Sequence, residues 1–557
     1  MRHFTLYLLI LTANCATAQW NPDTLDRNQL STINVNVNPT ILHDGQNGYF
    51  VGWVSGSLAG PGSYSMQRLT ANGDTLWQRY GKTMIPTAAF DYADASKRSM
   101  TAGANSDGYI AWSNTAAFSN ARIFVQRFNQ DGDTLFGPNG LSLSPTPATS
   151  SIQFVRTLPD DSGGVIILYR VLYFSAQPFL GIERVDSSGN ILIPPQTRIG
   201  PSGARYLWEV APDGNGGGFC LYESTTSASL LHFDRQGIAT WASPMTVNVV
   251  CLDDTSQDMV KDPVSNGCFL LSLNSDYDLH LQYFDTAGTA RWPGDGIAAA
   301  PPDMGGTHAI LAPDYAGGTW VGYSLRYPTA TDSLFYIVKH FDAGGNMVSG
   351  TDTTVIHMPS AAFHFAMAPD RSGGVYVSWQ EYRYGRICVF GQHFDASGQR
   401  LWRADGYPVI TSNNQYTSTP CTGGSCDDLD IVIADAGASG FVAAWGDNRT
   451  GPHTWGTYAA KADGLLPTSI NAPSAGKLSA SLAPVPAHNL LQVQIAETFA
   501  QQDICYSIYD LRGACVQETR KLDTKQSMID VSRLSSGFYL LHLSSGDRDI
   551  MLRWMKF

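Results

Sequence analysis

The sequence predicts an all-β chain, and three observations carry that reading. Turn formers are abundant, with 54 Gly and 29 Pro in 557 residues. Between the turns stand short runs of alternating β-branched and aromatic residues, and no helix-period segment intervenes. Finally, the stretch "FDASGQRLW" at 394–402 returns in close variants along most of the chain.

The variants are "LTANGDTLW" at 69, "FNQDGDTLF" at 128, "VDSSGNILI" at 185, "FDRQGIATW" at 233, "FDTAGTARW" at 284 and "FDAGGNMVS" at 341, with a shortened "AKADGLL" from Ala460. Full copies begin 48 to 59 residues apart, a spacing that marks a repeat architecture rather than ordinary turn recurrence. A second motif precedes each copy, as in "DGQNGYFVGW" (44–53), "DDSGGVIILY" (160–169) and "DRSGGVYVSW" (370–379), and it occurs eight times. Its Asp/Asn/Gly cluster supplies positive φ angles for a tight reversal, and the alternation after it is strand chemistry.

The seventh repeat shows the whole unit: "HFAMAPD" (364–370), a turn, "VYVSWQE" (375–381), a loop at "YRYG", "RICVFGQHF" (386–394), a turn, and "RLW" (400–402). Four antiparallel strands in about fifty residues is the size of a propeller blade. A four-stranded meander cannot bury both faces alone, so such units are expected to pack face to face around an axis. Residues 19–465 therefore read as a β-propeller of seven or eight blades, eight being the direct count. A string of β-sandwich modules is the competing layout. The strand "INVNVNPTIL" (33–42) fits two places, as the first inner strand or as the strand that completes the final blade. The motifs resemble the divergent "GG-x-hydrophobic-W…Q-x-x-D-x-x-G-x-x-W" propeller repeats of secreted Bacteroidota proteins, and lack the Gly-His and Trp-Asp pairs of WD40 repeats.

In such a unit the turns after strands one and three share one face. The longer connections lie on the other, where variable loops on a rigid scaffold carry recognition. These connections include "RVLYFSAQPF" (170–179), "NSDYD" (274–278), "QEYRYGR" (380–386) and "GDNRTGPHT" (446–454). Tyr382, Arg383, Tyr384 and Arg386 beside Glu381, with Asp447 and Arg449 one repeat later, form a candidate site for a glycan or protein ligand. The structural alternative is that Asp447 and Arg449 pair with each other and the tyrosines cap strand ends.

Composition narrows the chemistry. Net charge is −13 with no basic footprint, which excludes nucleic acid as the expected partner. Only six Glu occur, so nearly every carboxylate is the turn-closing Asp. A propeller glycosidase, the alternative function, needs two carboxylates facing each other across an axial pocket, and Glu223, Asp276, Glu381 and Asp447 are the loop carboxylates that could supply them. The sialidase box "SxDxGxTW" is echoed only by "NGDTLW" (72–77). No nucleophile-elbow, zinc-protease or P-loop motif is present, and no catalytic residue, cofactor or metal is assigned. Asp-rich turns such as "NQDGDT" (129–134) read as turn closure rather than Ca²⁺ loops.

The start "MRHFTLYLLILTANCATAQW" has a basic residue, an apolar run and an Ala-Thr-Ala triplet, and reads as a signal peptide over 1–18. A lipoprotein reading would use Cys15. For an exported chain disulfides are allowed, and Cys421 and Cys426 in "CTGGSC" are the candidate pair. Cys220, Cys268 and Cys388 sit in strand patterns and read as buried thiols.

After a Pro/Ser/Ala-rich linker (466–481) the period stops, and residues 482–557 show short strands of a small Ig-like β-sandwich. "IYDLRGACV" (508–516), "IDVSRLSSGFYLLHL" (529–543) and the final "RWMKF" resemble, in order, the motifs of the type IX (Por) secretion system C-terminal sorting domain, type A. Pro486, Tyr509, Asp510, Gly513, Asp530, Leu534, Gly537, Tyr539 and Lys556 match its pattern, although Val485 stands where family members usually carry Asn. The resemblance implies export to the periplasm, recognition by the outer-membrane translocon, and a secreted or surface-attached product, often linked to lipopolysaccharide. The expected whole is a non-enzymatic binding or adhesion protein displayed at the cell surface.

Overall fold

The computed structural model describes residues 28–32, 35–46, 48–56, 62–86, 98–104, 106–113, 121–145, 150–173, 177–224, 227–249, 257–302, 306–326, 334–348, 350–351, 353–358, 365–383, 386–403, 406–410, 431–437, 439–447, 456–464, 480–483, 487–495, 504–510, 515–522, 526–545 and 548–556. The expected signal peptide (1–18) and the candidate disulfide Cys421/Cys426 lie outside them. Two compact units divide the chain, Met1–Gly464 and Leu465–Phe557, and every regular element described is a β-strand.

The seventh repeat explains how the sequence makes a sheet. Its strands Phe365–Pro369, Val375–Arg383, Arg386–Phe394 and Tyr407–Ile410 pair antiparallel in that order. In the first reversal Gly373 takes φ +100°, open to glycine at little cost. The next residue, Gly374, passes so close to the Phe394 carbonyl and the Asp370 carboxylate that a Cβ would collide with both. That double requirement is the "GG" of the motif.

"FDASGQRLW" is the second reversal. Phe394 ends the third strand and is buried, while Asp395 Oδ1 accepts the Ser397 and Gln399 N–H groups at 2.9 Å each. Gly398 has φ +80°. Gln392, behind the turn, accepts the Trp402 N–H at 3.0 Å and donates to the Arg403 carbonyl at 2.7 Å, which fixes where the chain leaves toward the outer strand. Gln67 makes the same pair of bonds around Trp77, and Gln282 accepts the Trp292 N–H and donates to the carbonyl of Trp292 itself.

Among the described residues the first unit holds eight four-stranded sheets. Seven follow chain order, and the eighth (Ile431–Asp435, Phe441–Asp447, Gly456–Ala462) receives its fourth strand, Asn28–Gln29, from the start of the described chain. The longer strand Val35–His43 opens the first sheet, so both places open to the N-terminal segment are filled, by different residues. Buried clusters join each sheet to the next: Phe50, Met66 and Trp77 of the first meet Ile110, Trp112 and Phe128 of the second. The last joins sheets eight and one through Leu30, Tyr49, Trp53, Val442 and Ala444. Tyr49 Oη donates to the Asp435 carbonyl across the same junction at 3.0 Å. Contacts between sheets thus return to their starting point. Cys220, Cys268 and Cys388 are buried in these cores.

In the second unit a three-stranded sheet (Ala480–Ala483, Leu490–Ile495, Gln526–Asp530) and a four-stranded sheet (Cys515–Lys521, Cys505–Asp510, Gly537–Ser545, Arg548–Lys556) share one core containing Leu491, Val493, Ile508, Ile529, Leu541 and Trp554.

Leu30, 1% exposed, follows the closing strand and is held by its N–H to the Thr457 carbonyl at 2.8 Å. Leu30→Ala is expected to destabilise the protein by about 2–5 kcal/mol. Urea unfolding checks this; an unchanged midpoint would mean that the closing strand adds nothing.

Candidate functional site

The two ends of the sheets are built differently. At the end with the short reversals, the Asp that opens the first turn is, in six of the eight sheets, also the anchor of a polar pair with the third strand. Asp370 Oδ1 accepts the Ser372 and Gly374 N–H groups at 2.7 and 2.8 Å, and Oδ2 meets His393 Nε2 at 2.8 Å. Asp213 with His232 and Asp314 with His340 repeat this at 3.1 and 2.9 Å. Arg68, Arg127 and Arg184 replace the histidine opposite Asp44, Asp107 and Asp160. In these six sheets the partner stands one residue before the third strand's final Phe, Leu or Val, so the pair ties the first turn to the third strand, whereas Asp435 of the eighth sheet pairs with Arg371 of the seventh sheet's turn. Burial alone would raise the carboxyls of Asp44, Asp213, Asp314 and Asp370, yet hydrogen bonds from the paired side chain and turn amides hold all four below the ordinary value. These groups are consumed by structure. The turn at 129–134 is closed likewise, with Asn129 Oδ1 accepting the Asp131 and Asp133 N–H groups and Lys82 Nζ reaching the Asp131 carbonyl.

The opposite end carries a cluster that is not closed. In the third sheet Gln153↔Arg170 are register partners near the start of Ser150–Pro159, and the next two residues bulge against Tyr169 alone. Phe154 within that bulge has φ +54°, a conformation costly for a non-glycine residue. The fourth sheet begins beside it at Tyr206–Pro212. Phe154 meets Tyr206 edge-on at 5.5 Å, and Tyr206 stacks on Trp208 at 4.9 Å. Arg170 lies 5.2 Å from the Tyr206 ring centre and donates Nη1–H to Gln153 Oε1 at 2.9 Å. Arg170 is 8% exposed and Tyr206 38%. Burial holds the guanidinium below its ordinary pKa, and the nearby Glu223 carboxylate works against that. Among the described residues Arg170 has no ion-pair partner, its Nε has no acceptor, and neither has the buried Trp208 Nε1.

The candidate ligand residues named from sequence fall partly outside the description. Tyr382 and Arg383 end one strand and Arg386 begins the next, with Arg383↔Arg386 in register, so two of the residues expected in the loop at 382–385 belong to the strand instead. Asp447 ends its strand in the neighbouring sheet, and Tyr384 and Arg449 lie outside the described residues. Arg170, placed in a loop by its sequence context, belongs instead to the strand Val165–Tyr173. The segment at 274–278 is a tight turn in which Asn274 Oδ1 accepts the Asp276 and Asp278 N–H groups. Glu223 ends a strand of the fourth sheet, and Asp276 lies in the turn at 274–278. Among the described residues no group of three His, Cys, Asp or Glu is placed to hold a metal ion.

One inner-strand carboxylate stands out. Asp258 of the fifth sheet accepts the Leu311 N–H of the sixth at 2.7 Å and the Met259 N–H at 2.8 Å, and burial pushes its carboxyl up to about 6.

In the second unit the predicted motif residues take structural roles. Tyr509 and Asp510 end the strand Cys505–Asp510, and Asp530 Oδ1 accepts the Ser532 N–H at 2.9 Å. Leu534 packs on the core, and Gly537 begins Gly537–Ser545. Tyr539 stacks on Trp554 at 5.3 Å and donates to the Ser535 carbonyl. Lys556 Nζ donates to the His488 carbonyl at 2.6 Å. Pro486 and Gly513 lie outside the described residues.

This C-terminal segment is an export signal built as a folded module. It matches the family model of the secretion system C-terminal sorting domain over residues 481–556, as the motifs implied, which marks the protein for type IX export to the cell surface or beyond. No curated protein matches the sequence. Among solved structures the chain is similar to puromycin hydrolase (11% identity, TM-score 0.38, covering 77% of this chain and 62% of that one). It is also similar to prolyl oligopeptidase B from Galerina marginata (10%, 0.40, 74% and 55%) and to an alpha-L-arabinanase from Penicillium chrysogenum (14%, 0.31, 53% and 93%). The chain thus spans about three fifths of the puromycin hydrolase length.

The two kinds of carboxylate give opposite pH responses. Asp44, Asp213, Asp314 and Asp370, with lowered folded pKa values, contribute stability that is full above the unfolded value near 4 and is lost as pH falls through the folded values. Asp258, with a raised value, contributes stability as pH falls from about 6 toward 4 and loses it on the way up. Urea midpoints between pH 7 and 3 should show the acid loss shrinking in Asp370→Asn. Asp258→Asn should remove a gain confined to pH 6–4; an unaltered slope there would contradict the assignment.

Proposed function

We propose that the first unit is an eight-bladed β-propeller, closed by Asn28–Gln29, that binds a ligand at the end carrying the long connections and catalyses no reaction. The second unit is then an Ig-like sorting sandwich, recognised by the type IX outer-membrane translocon. Its cargo is displayed at the surface or released, and attachment to lipopolysaccharide is the expected anchored form.

The observation that supports a binding role is the contrast between two buried arginines. Arg184, at the short-turn end, has the Asp160 carboxylate at 2.9 Å, whereas Arg170, at the other end and as deeply buried, has none among the described residues. A desolvated charge without a counter-ion costs several kcal/mol, and a site that keeps one is suited to receive an anion. Pairing the short-turn carboxylates with Arg and His removes that end from consideration.

The test is a glycan and protein array probed with the purified mature chain and scored for binding and for hydrolysis. Retention of one ligand class without turnover is expected, while hydrolysis of a retained glycan would replace this reading by an enzymatic one. Separately, deleting residues 477–557 should leave the protein in the periplasm of its secreting host. Unchanged surface export of the truncated chain, followed by immunoblotting of cell fractions, would contradict the sorting role.

A further inference from the structure

We propose that the Arg170 cluster binds the carboxylate of an acidic sugar, so that the ligand is a uronate-bearing polysaccharide. This rests on the reading of the first unit as a binding propeller and supplies its ligand class.

The unmet groups in the cluster are both donors, Arg170 Nε and Trp208 Nε1, which have no acceptor among the described residues. Buried polar groups in folded proteins are paired almost without exception, so the complement of this site is rich in acceptors. A carboxylate matches a guanidinium in shape as well as charge, by two parallel N–H···O bonds. Gln153 holds one end of the fork through Nη1, leaving Nε as the fixed donor. The guanidinium lies 5.9 Å from the Phe154 ring centre and 5.2 Å from that of Tyr206, Tyr206 stacks on the buried Trp208, and Tyr206 is the most open of the three rings. Aromatic walls beside a fixed polar donor suit the C–H faces and oxygens of a pyranose better than a flexible acidic side chain.

The site is also individual to its sheet. The sixth sheet repeats the bulge at His308, with φ +53°, but there Thr307↔Ser324 occupy the register of Gln153↔Arg170. In the first sheet the corresponding partners are Val37↔Val54. Of the three sheets compared, the third is the one whose bulge stands beside an arginine.

The mature full-length chain would be titrated calorimetrically with a galacturonate hexasaccharide, its carboxyl-reduced neutral counterpart and a hexaglutamate peptide. The uronate should bind, with salt-sensitive affinity, and both the neutral sugar and Arg170→Gln should weaken binding by about 10- to 100-fold. Arg170→Met, which removes an uncompensated charge, should raise the ligand-free thermal midpoint while abolishing binding. A lowered midpoint in Arg170→Met would make the arginine a structural element and overturn the proposal. Tighter binding of hexaglutamate would overturn the sugar assignment. Uronate binding indifferent to Arg170→Gln would overturn the site yet leave the binding propeller standing, whereas absence of any ligand across sugars and proteins would remove both.

Discussion

A carboxylate folded under the first turn of a repeat is the interaction on which the first unit depends. In the seventh repeat Asp370 takes two turn amides with one oxygen and His393 of the third strand with the other. Three strands are thereby held in register from one side chain, and the glycine after the turn must lie flat against the third strand's last carbonyl. Once that corner is set, the aromatic that opens the second strand points at the neighbour: Tyr109, Trp320 and Tyr376 donate to the carbonyls of Gly163, Gly373 and Gly437 in the next sheet. Local turn chemistry therefore fixes how sheets meet.

The motif "FDASGQRLW" plays the complementary part. Its Asp395 is half-buried and takes its hydrogen bonds from its own turn, whereas its tryptophan reaches outward. Trp77, Trp241 and Trp292 donate Nε1–H to carbonyls in the next sheet's equivalent turn, and Trp402 packs on Phe441 and beside Gly464. Repetition of this stretch counts junctions. With Tyr49 and Leu30 closing the last of them, strain or loss at one junction is felt by a ring of partners rather than at a free end.

Much of this was legible because its period is local. Asp, Gly-Gly and alternating aromatics lie within ten residues, and the conserved-looking spacing of two motifs reveals four strands per unit. The Asp–His and Asp–Arg pairs were not read, because the partners lie 19 to 26 residues apart, as in Asp213 with His232 and Asp314 with His340. The residue two before the turn Asp in "LHFD", "KHFD" and "QHFD" was the available signal. Arg170 escaped for another reason: a strand that continues past its apolar run into "RVLY" looks like a loop when only hydrophobicity is followed. Its partners Tyr206 and Trp208 come from the next repeat, which no spacing rule connects. The second unit was legible through ordered motifs, since its turn and core residues recur in a fixed order.

A division of labour follows between the two ends of the first unit: at one, six turn carboxylates are paired with Arg or His and hold the scaffold, and at the other Arg170 has no ion-pair partner among the described residues and lies beside aromatic rings. Amide hydrogen exchange on the mature chain, with and without a ligand taken from the array, tests that division most directly. Protection is predicted at 150–156, 168–173 and 205–209, with exchange at 370–374 and 395–399 unchanged. Protection concentrated instead at those short turns would contradict the account.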